Sequence, residues 1–293
     1  MEFKEELNIY TLEIEKYLKN SIKIVDVPER YLLESMQYSL LAGGKRLRPA
    51  IMLATYNIFK PDYISAMPYA IAMEMVHNFS LIHDDLPAID NDDLRHGKLT
   101  NHKAFGESTA ILAGDGLLNS AYICISNELL IKENLDNKLK AFNEFSNAVH
   151  KMILGEFVDI DSEGKKISCE LLEYMHQNKT GALLKASVKI GAILAGASEI
   201  DIQNLEKYAD KIGLAFQIKD DILSEIGDEK VLGKPVGNDK KMEKCSFATI
   251  YGIKKSNLEL EKNINEAIEI TKTFKNNSKF FEDFAIYIQN RNK

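Results

Sequence analysis

The chain has 293 residues, 45% of them hydrophobic and 28% charged, as in ordinary globular proteins, and its formal net charge of −7 argues against a surface for nucleic acid or anionic membrane. Cys124, Cys169 and Cys245 are scattered, odd in number and without metal-ligand spacing, which argues against a disulfide framework and fits a reducing, cytoplasmic compartment. No apolar run reaches the roughly 18 residues of a membrane span, and the acidic, amphipathic start MEFKEELNIY reads neither as a secretory signal nor as a transit peptide.

Taken in order, residues 2–20 carry apolar side chains at roughly helical spacing (Leu7, Tyr10, Leu12, Ile14, Leu18) and predict an opening helix. Pro28 suits the first turn of a second helix, which Gly43-Gly44 stop. Residues 48–59 predict a short helix, and Pro68 opens a buried one that ends at Asp84-Asp85 near Pro87. Five of the six prolines lie at or before Pro87, and only Pro235 follows, so the interval between is free to run in long helices. Helical periodicity recurs over 108–131, 137–157, 170–194, 201–226, 247–252, 258–273 and 279–290. No window alternates as a strand series does. Length alone suggests about two domains, yet no linker rich in Pro, Gly or Ser and no fixed-period repeat divides the sequence. The expectation is one all-α domain over residues 1–293, a large bundle of about ten or more helices.

Three clusters carry chemistry. Asp84, Asp85, Asp90, Asp92 and Asp93 crowd into ten residues at the end of the apolar run AIAMEMVHNFSLIH. Carboxylates at the mouth of a buried helix are destabilising unless something neutralises them. A hard divalent cation that shares its shell with phosphate oxygens does so, and Mg²⁺ is the natural one. His77 lies two turns before Asp84 on the same stripe. A second acidic pair, Asp220-Asp221, ends another apolar helix (Ile212, Leu214, Ala215, Phe216, Ile218), and like charges gathered at two such ends call for bridging cations. The third cluster is Gly43-Gly44-Lys45-Arg46-Leu47-Arg48-Pro49, where glycines allow close backbone approach and arginine forks match phosphate oxygens. Its spacing is not that of a Walker loop. Arg95, Lys98, Lys179, Lys234 and Lys244 are further candidate cations.

Each cluster alone also reads as an ordinary surface: a capping acidic loop, a solvated carboxylate pair, a basic helix end. Together they ask for a Mg²⁺–diphosphate site with an apolar slot beneath it, suited to a substrate with a polar head and a hydrocarbon tail.

With these residues in hand, the chain resembles the trans-isoprenyl diphosphate synthases, and within them the bacterial farnesyl diphosphate synthases. The resemblance runs from about Tyr31 to the end and rests on GGKRLRP (43–49), SLIHDDLPAIDNDDLRHGKLTNHKAFGE (80–107), AGDGLL (113–118), KTGALL (179–184), FQIKDDIL (216–223) and GDEKVLGKPVGND (227–239). It implies helices around a deep central cavity. Asp84 and Asp90, with Asp85 beside them, would hold Mg²⁺, and Asp220 a further ion, about three ions in all with substrate bound. Lys45, Arg48 and His77 would bind the diphosphate of isopentenyl diphosphate. His96 stands where the family usually has an arginine for that same group. Arg95, helped by Lys179, Gln217 and Lys234, would bind the allylic diphosphate. Thr180 and Gln217 would line the reacting carbons. A homodimer is the family's usual assembly.

The chemistry so implied is ionisation of the allylic substrate, condensation with isopentenyl diphosphate and elimination of a proton, with farnesyl diphosphate as product. Phe79, with Ser80, would floor the tail pocket: it precedes Asp84 by five residues, roughly 7–8 Å of helix. Aromatic residues in helices are also ordinary core. Three positions depart from the family pattern: Ser224 replaces the last aspartate of the second motif, His96 replaces an arginine, and Glu156 replaces a glutamine. A geranylgeranyl diphosphate synthase shares the first-motif spacing, and a weakly active or non-catalytic subunit would explain the three departures. A terpene cyclase would have no use for GGKRLRP, which serves a second diphosphate.

Overall fold

A computed structural model describes residues 3–165, 167–226, 246–274, 276 and 278–291. They fold into helices, as the periodicity predicts. The chain gathers into two compact units, Met1–Phe142 and Asn143–Lys293, taken in turn.

The first unit contains α1 (Phe3–Ser21), α2 (Arg30–Leu40), α3 (Leu47–Phe59), a 3₁₀ turn (Tyr63–Ala66), α4 (Met67–Asp84), α5 (Asn101–Phe105), α6 (Glu107–Leu129) and the start of α7 (Leu135–Ser162). α4 is its core. Met67, Tyr69 to Val76, Asn78, Phe79 and Ile82 are all buried, so this helix is apolar all round rather than along one stripe. It packs chiefly on α6, whose Ala110, Ala113, Gly114, Leu117 and Ala121 are buried. Small side chains there let the two helices close up. At Gly114 a Cβ atom would stand 2.2 Å from His83 Nε2, so a larger residue there has to displace that imidazole.

One feature has no counterpart in the sequence expectation. Residues 94–99 form a minimal antiparallel hairpin, β1 (Leu94–Arg95) and β2 (Lys98–Leu99), with Arg95 opposite Lys98. Its two-residue tip is His96-Gly97, at φ 53° and 76°. Positive φ at both tip residues is the signature of a type I′ turn, whose twist suits such ribbons.

The second unit holds the rest of α7, then α8 (Cys169–His176), a π-helical turn (Gln177–Gly181) and α9 (Ala182–Ala195), followed by α10 (Glu199–Ile226), α11 (Phe247–Tyr251), α12 (Ile253–Thr271) and α13 (Ser278–Asn290). α10 packs against α12, α9 and α13. Ile212, Ala215, Ile218 and Ile222 form its buried stripe. The expected helix over 170–194 exists, interrupted by the π turn. No helix among the described residues is long and apolar enough to cross a membrane.

Candidate active site

The basic loop of the first unit turns on backbone conformation. Gly43 and Gly44 sit at φ 105° and 123°, which side chains avoid. Arg46 follows at φ 49°, ψ 35°, and α3 begins immediately after it. Arg46 points inward and is 3% exposed, while Lys45 and Arg48 on either side are half-buried. Its Nε donates to Glu15 Oε1 at 2.7 Å, its Nη1 to Glu74 Oε1 at 2.6 Å and its Nη2 to the Leu40 carbonyl at 2.8 Å.

His77 lies one turn beyond Glu74 on α4, and its Nε2 is 3.3 Å from Arg48 Nη1. A guanidinium only donates, so Nε2 accepts and the ring proton resides on Nδ1. Burial, and then Arg48, Arg95, Arg46 and His96 in that order, push the His77 pKa well below the ordinary histidine value. His96 is shifted down as well, by burial and then by Arg95 and Arg46. From the hairpin tip its ring reaches Gly44, where an added Cβ would lie 3.7 Å from His96 Nε2. Arg48 and Arg95 thus bring positive charge to His77, as an anion site requires.

The end of α4 carries the opposite charge. Asp84 is its last residue and Asp85 its cap. The negative end of the helix dipole makes this an unfavourable place for carboxylates unless cations are supplied. Asp85, 3% exposed, receives Arg95 bidentately, with Nε 2.8 Å from Oδ2 and Nη2 2.5 Å from Oδ1. The Asp90 amide donates to the Asp84 carbonyl at 2.9 Å, which brings the chain back so that both half-buried residues stand together. Phe79 is buried and packs edge-on against His83 at 4.9 Å between ring centroids. His83 Nε2 in turn lies 3.1 Å from the Ile111 carbonyl of α6. Ser80 caps back onto the His77 carbonyl at 2.9 Å.

In the second unit Lys179 and Thr180 ride on the π turn, a local bulge often found at functional sites. Gly155 of α7 presses against it: a Cβ there would stand 2.2 Å from the Lys179 amide nitrogen. Lys179 Nζ sits between Glu156 Oε2 at 2.8 Å and Asp159 Oδ2 at 2.6 Å. On α10, Asp220 Oδ1 receives Arg291 Nη2 at 2.5 Å. That same nitrogen reaches the Phe216 carbonyl at 2.8 Å, and the guanidinium lies 3.8 Å above the Phe216 ring. Asp221 is buried and accepts the Phe247 amide at 2.7 Å, with His176 Nε2 at 3.5 Å. Gln217 and Ser224 are half-buried on the same helix.

The structure therefore brings Lys45, Arg48, His77, Arg95, His96, Asp84, Asp85 and Asp90 into one neighbourhood of the first unit. Lys179, Thr180, Gln217 and Asp220 belong to the second. Lys234 lies outside the described residues. Reading the sequence for chemistry takes Arg46 for one more cation facing an anion, and passes over Glu15 and Glu74, and Arg291 near the other end. A buried arginine looks in sequence like a solvated one. Among the described residues no group of three or more His, Cys, Asp or Glu side chains is already gathered as metal ligands. The donors at hand are carboxylate oxygens, few in each unit. That suits Mg²⁺, which takes one or two carboxylates and fills its shell with water and phosphate oxygens.

Comparison with known proteins identifies the family. The family model described as Polyprenyl synthetase matches residues 29–284. The farnesyl diphosphate synthase of Bacillus subtilis (strain 168) is 40% identical, over 89% of this chain and 90% of that one. The geranylgeranyl diphosphate synthase of Cyanophora paradoxa is 43% identical, over 89% and 88%. The apo crystal structure of an FPP/GFPP synthase from Zymomonas mobilis superposes with a TM-score of 0.86 at 30% identity, covering 98% of each chain. With a family match over most of its length and the same all-α fold, the chain belongs to the polyprenyl synthetase family.

Proposed function

We propose that this chain is a Mg²⁺-dependent prenyltransferase that condenses isopentenyl diphosphate with an allylic diphosphate, dimethylallyl or geranyl, to give farnesyl diphosphate. One observation carries the reading: Arg48 meets His77 at 3.3 Å on the very helix that ends in Asp84 and Asp85, and Arg95 lies against Asp85 at that end. A diphosphate chelating Mg²⁺ matches both charges.

Lys45, Arg48 and His77 take the diphosphate of isopentenyl diphosphate, and His96 adds an imidazole from the hairpin tip. His77, neutral, can offer a hydrogen bond rather than a charge. Arg95, oriented by Asp85, takes the allylic diphosphate together with Lys179, Gln217 and Lys234. Asp84 and Asp90 hold Mg²⁺, with Asp85 beside them, and Asp220 holds a further ion. Mg²⁺, when bound, would offset the charge that gathers on the departing diphosphate. Arg95 and Lys179 stabilise that same charge. The allylic C–O bond breaks with its electron pair going to the diphosphate. The double bond of isopentenyl diphosphate attacks the carbon so exposed, and the released diphosphate takes the proton that restores the alkene. Thr180 and Gln217 line the reacting carbons. Phe79 and Ser80 limit the tail.

The chain works as one synthase domain over residues 1–293, in keeping with a family match that runs through both units. It works in the cytoplasm, as its cysteine usage suggests, and as a homodimer. A second copy would cover the exposed Ile111, Leu112 and Ile123 of α6.

The test is a product assay with isopentenyl and geranyl diphosphates, with and without Mg²⁺, the chain identified by mass. A Mg²⁺-dependent C15 product is expected. Geranylgeranyl diphosphate is the second reading, favoured by the geranylgeranyl diphosphate synthase among the relatives, and a C20 product would establish it. Absence of product from folded protein would point to a non-catalytic subunit.

A further inference from the structure

Arg46 stands between Lys45 and Arg48 yet is not available to an anion. Its side chain is 1% exposed. Nε, Nη1 and Nη2 are engaged by Glu15, Glu74 and the Leu40 carbonyl. Those anchors come from three elements: Glu15 from α1, Leu40 from the end of α2 and Glu74 from α4. The backbone at Arg46 is left-handed, a conformation that an L side chain holds only where its surroundings over-determine it. The two glycines before it impose no shape of their own. The loop is therefore shaped by the guanidinium.

Glu74 is itself fixed. It is 3% exposed, and Asn78 Nδ2, held on the Glu74 backbone carbonyl at 2.8 Å, also reaches the Glu74 Oε1 at 3.4 Å. Glu74 and His77 are three residues apart on α4, hence on one stripe. His77 meets Arg48. The loop and the first turn of α3 are thereby tied to α4 at two successive levels, Arg46 to Glu74 and Arg48 to His77.

We propose that the buried Arg46–Glu74 pair is a positioning device for the isopentenyl diphosphate site, setting Lys45 and Arg48 on the diphosphate without touching it. The inference rests on the assignment of that anion to Lys45 and Arg48. Replacing Arg46 alone strands Glu74 as a buried charge, so the informative variant removes both, Arg46→Met with Glu74→Met. Apolar residues of similar volume can replace a buried pair without loss of fold. Arg46→Lys is the second variant, keeping the charge with fewer fixed donors.

Both are compared with wild type by thermal melting and by steady-state kinetics with each substrate varied. For the double variant the expected result is a melting point close to wild type, a KM for isopentenyl diphosphate raised about tenfold, and a KM for the allylic diphosphate within about twofold of wild type. Arg46→Lys gives a smaller rise in the same KM. A folded double variant, or Arg46→Lys, with the wild-type KM for isopentenyl diphosphate overturns the proposal. So does an equal rise in both KM values, which would mark general support of the fold. Lys45→Ala and Arg48→Ala are the controls for the underlying assignment: if neither raises the KM for isopentenyl diphosphate, that assignment fails independently of Arg46.

Discussion

Arg95 meets Asp85 along the edge of its guanidinium, with Nε 2.8 Å from Oδ2 and Nη2 2.5 Å from Oδ1. Asp85 is buried at the end of a helix, where nothing about the backbone favours a negative charge. Removing the arginine takes away its bidentate partner. Arg95→Gln is expected to lower the unfolding free energy by about 3 kcal/mol, measured by urea titration. Adding Asp85→Asn should recover a large part of the loss. If Arg95→Gln is as stable as wild type, the pair is not the anchor described.

Gly155 sets the approach of α7 to the π turn. A methyl group at this position collides with the Lys179 amide, which is backbone and cannot swing aside. Gly155→Ala therefore displaces the turn that carries Lys179 and Thr180. A misplacement of about 1 Å costs on the order of 100-fold in rate, so kcat should fall by about that factor while far-UV circular dichroism stays helical. Wild-type kcat in this variant would remove the π turn from the mechanism.

His77 titrates below the ordinary histidine value in the folded state. Between that lowered value and about 6.5, the unfolded chain binds more protons than the folded one. Stability therefore rises with pH through this window and levels off above about 6.5, and acid destabilises. The slope contributed by one such group is at most about 1.4 kcal/mol per pH unit. His77→Gln should lose this contribution, so its stability falls less steeply than wild type from pH 7 to pH 5. Parallel curves would show that His77 titrates normally.

Phe79 is buried and rests on His83, one helical turn before the acidic end of α4. Phe79→Ala opens space below the tail and should lengthen the product to C20 or beyond. The variant also loses about 3–5 kcal/mol of packing, so product analysis belongs at a temperature where circular dichroism shows it folded. Unchanged C15 product would discard the floor assignment.

The helices were legible because their apolar side chains recur at the helical period, and α4 because its largely apolar run continues up to Asp84-Asp85. The hairpin over 94–99 was not: two residues per strand carry no alternation, and its only local signal is His96-Gly97, an X-Gly pair able to take positive φ. The π turn lies against Gly155 of α7, a long-range contact that no local window contains. Arg46 was visible in its motif as one more cation for an anion. Its inward direction depends on Glu15 and Glu74, remote in sequence, and on a left-handed backbone. His96 as a departure from the family pattern also gains a physical reading, since it occupies the tip of a type I′ turn and leans toward Gly44.

Because α4 is buried along nearly its whole length, its amides have no local route to solvent. Proteins open in cooperative pieces, and the most deeply packed helices exchange their amide hydrogens only when the surrounding structure opens. Asp84 is thus carried on a slow-exchanging segment, while the exposed Asn91, Asp93 and His96 that follow lie on a fast one. The placement of the first acidic group is inherited from the core, and the adjoining loop is left free to adapt to whatever is bound. Deuterium uptake resolved by peptide should therefore step upward sharply between residues 84 and 91.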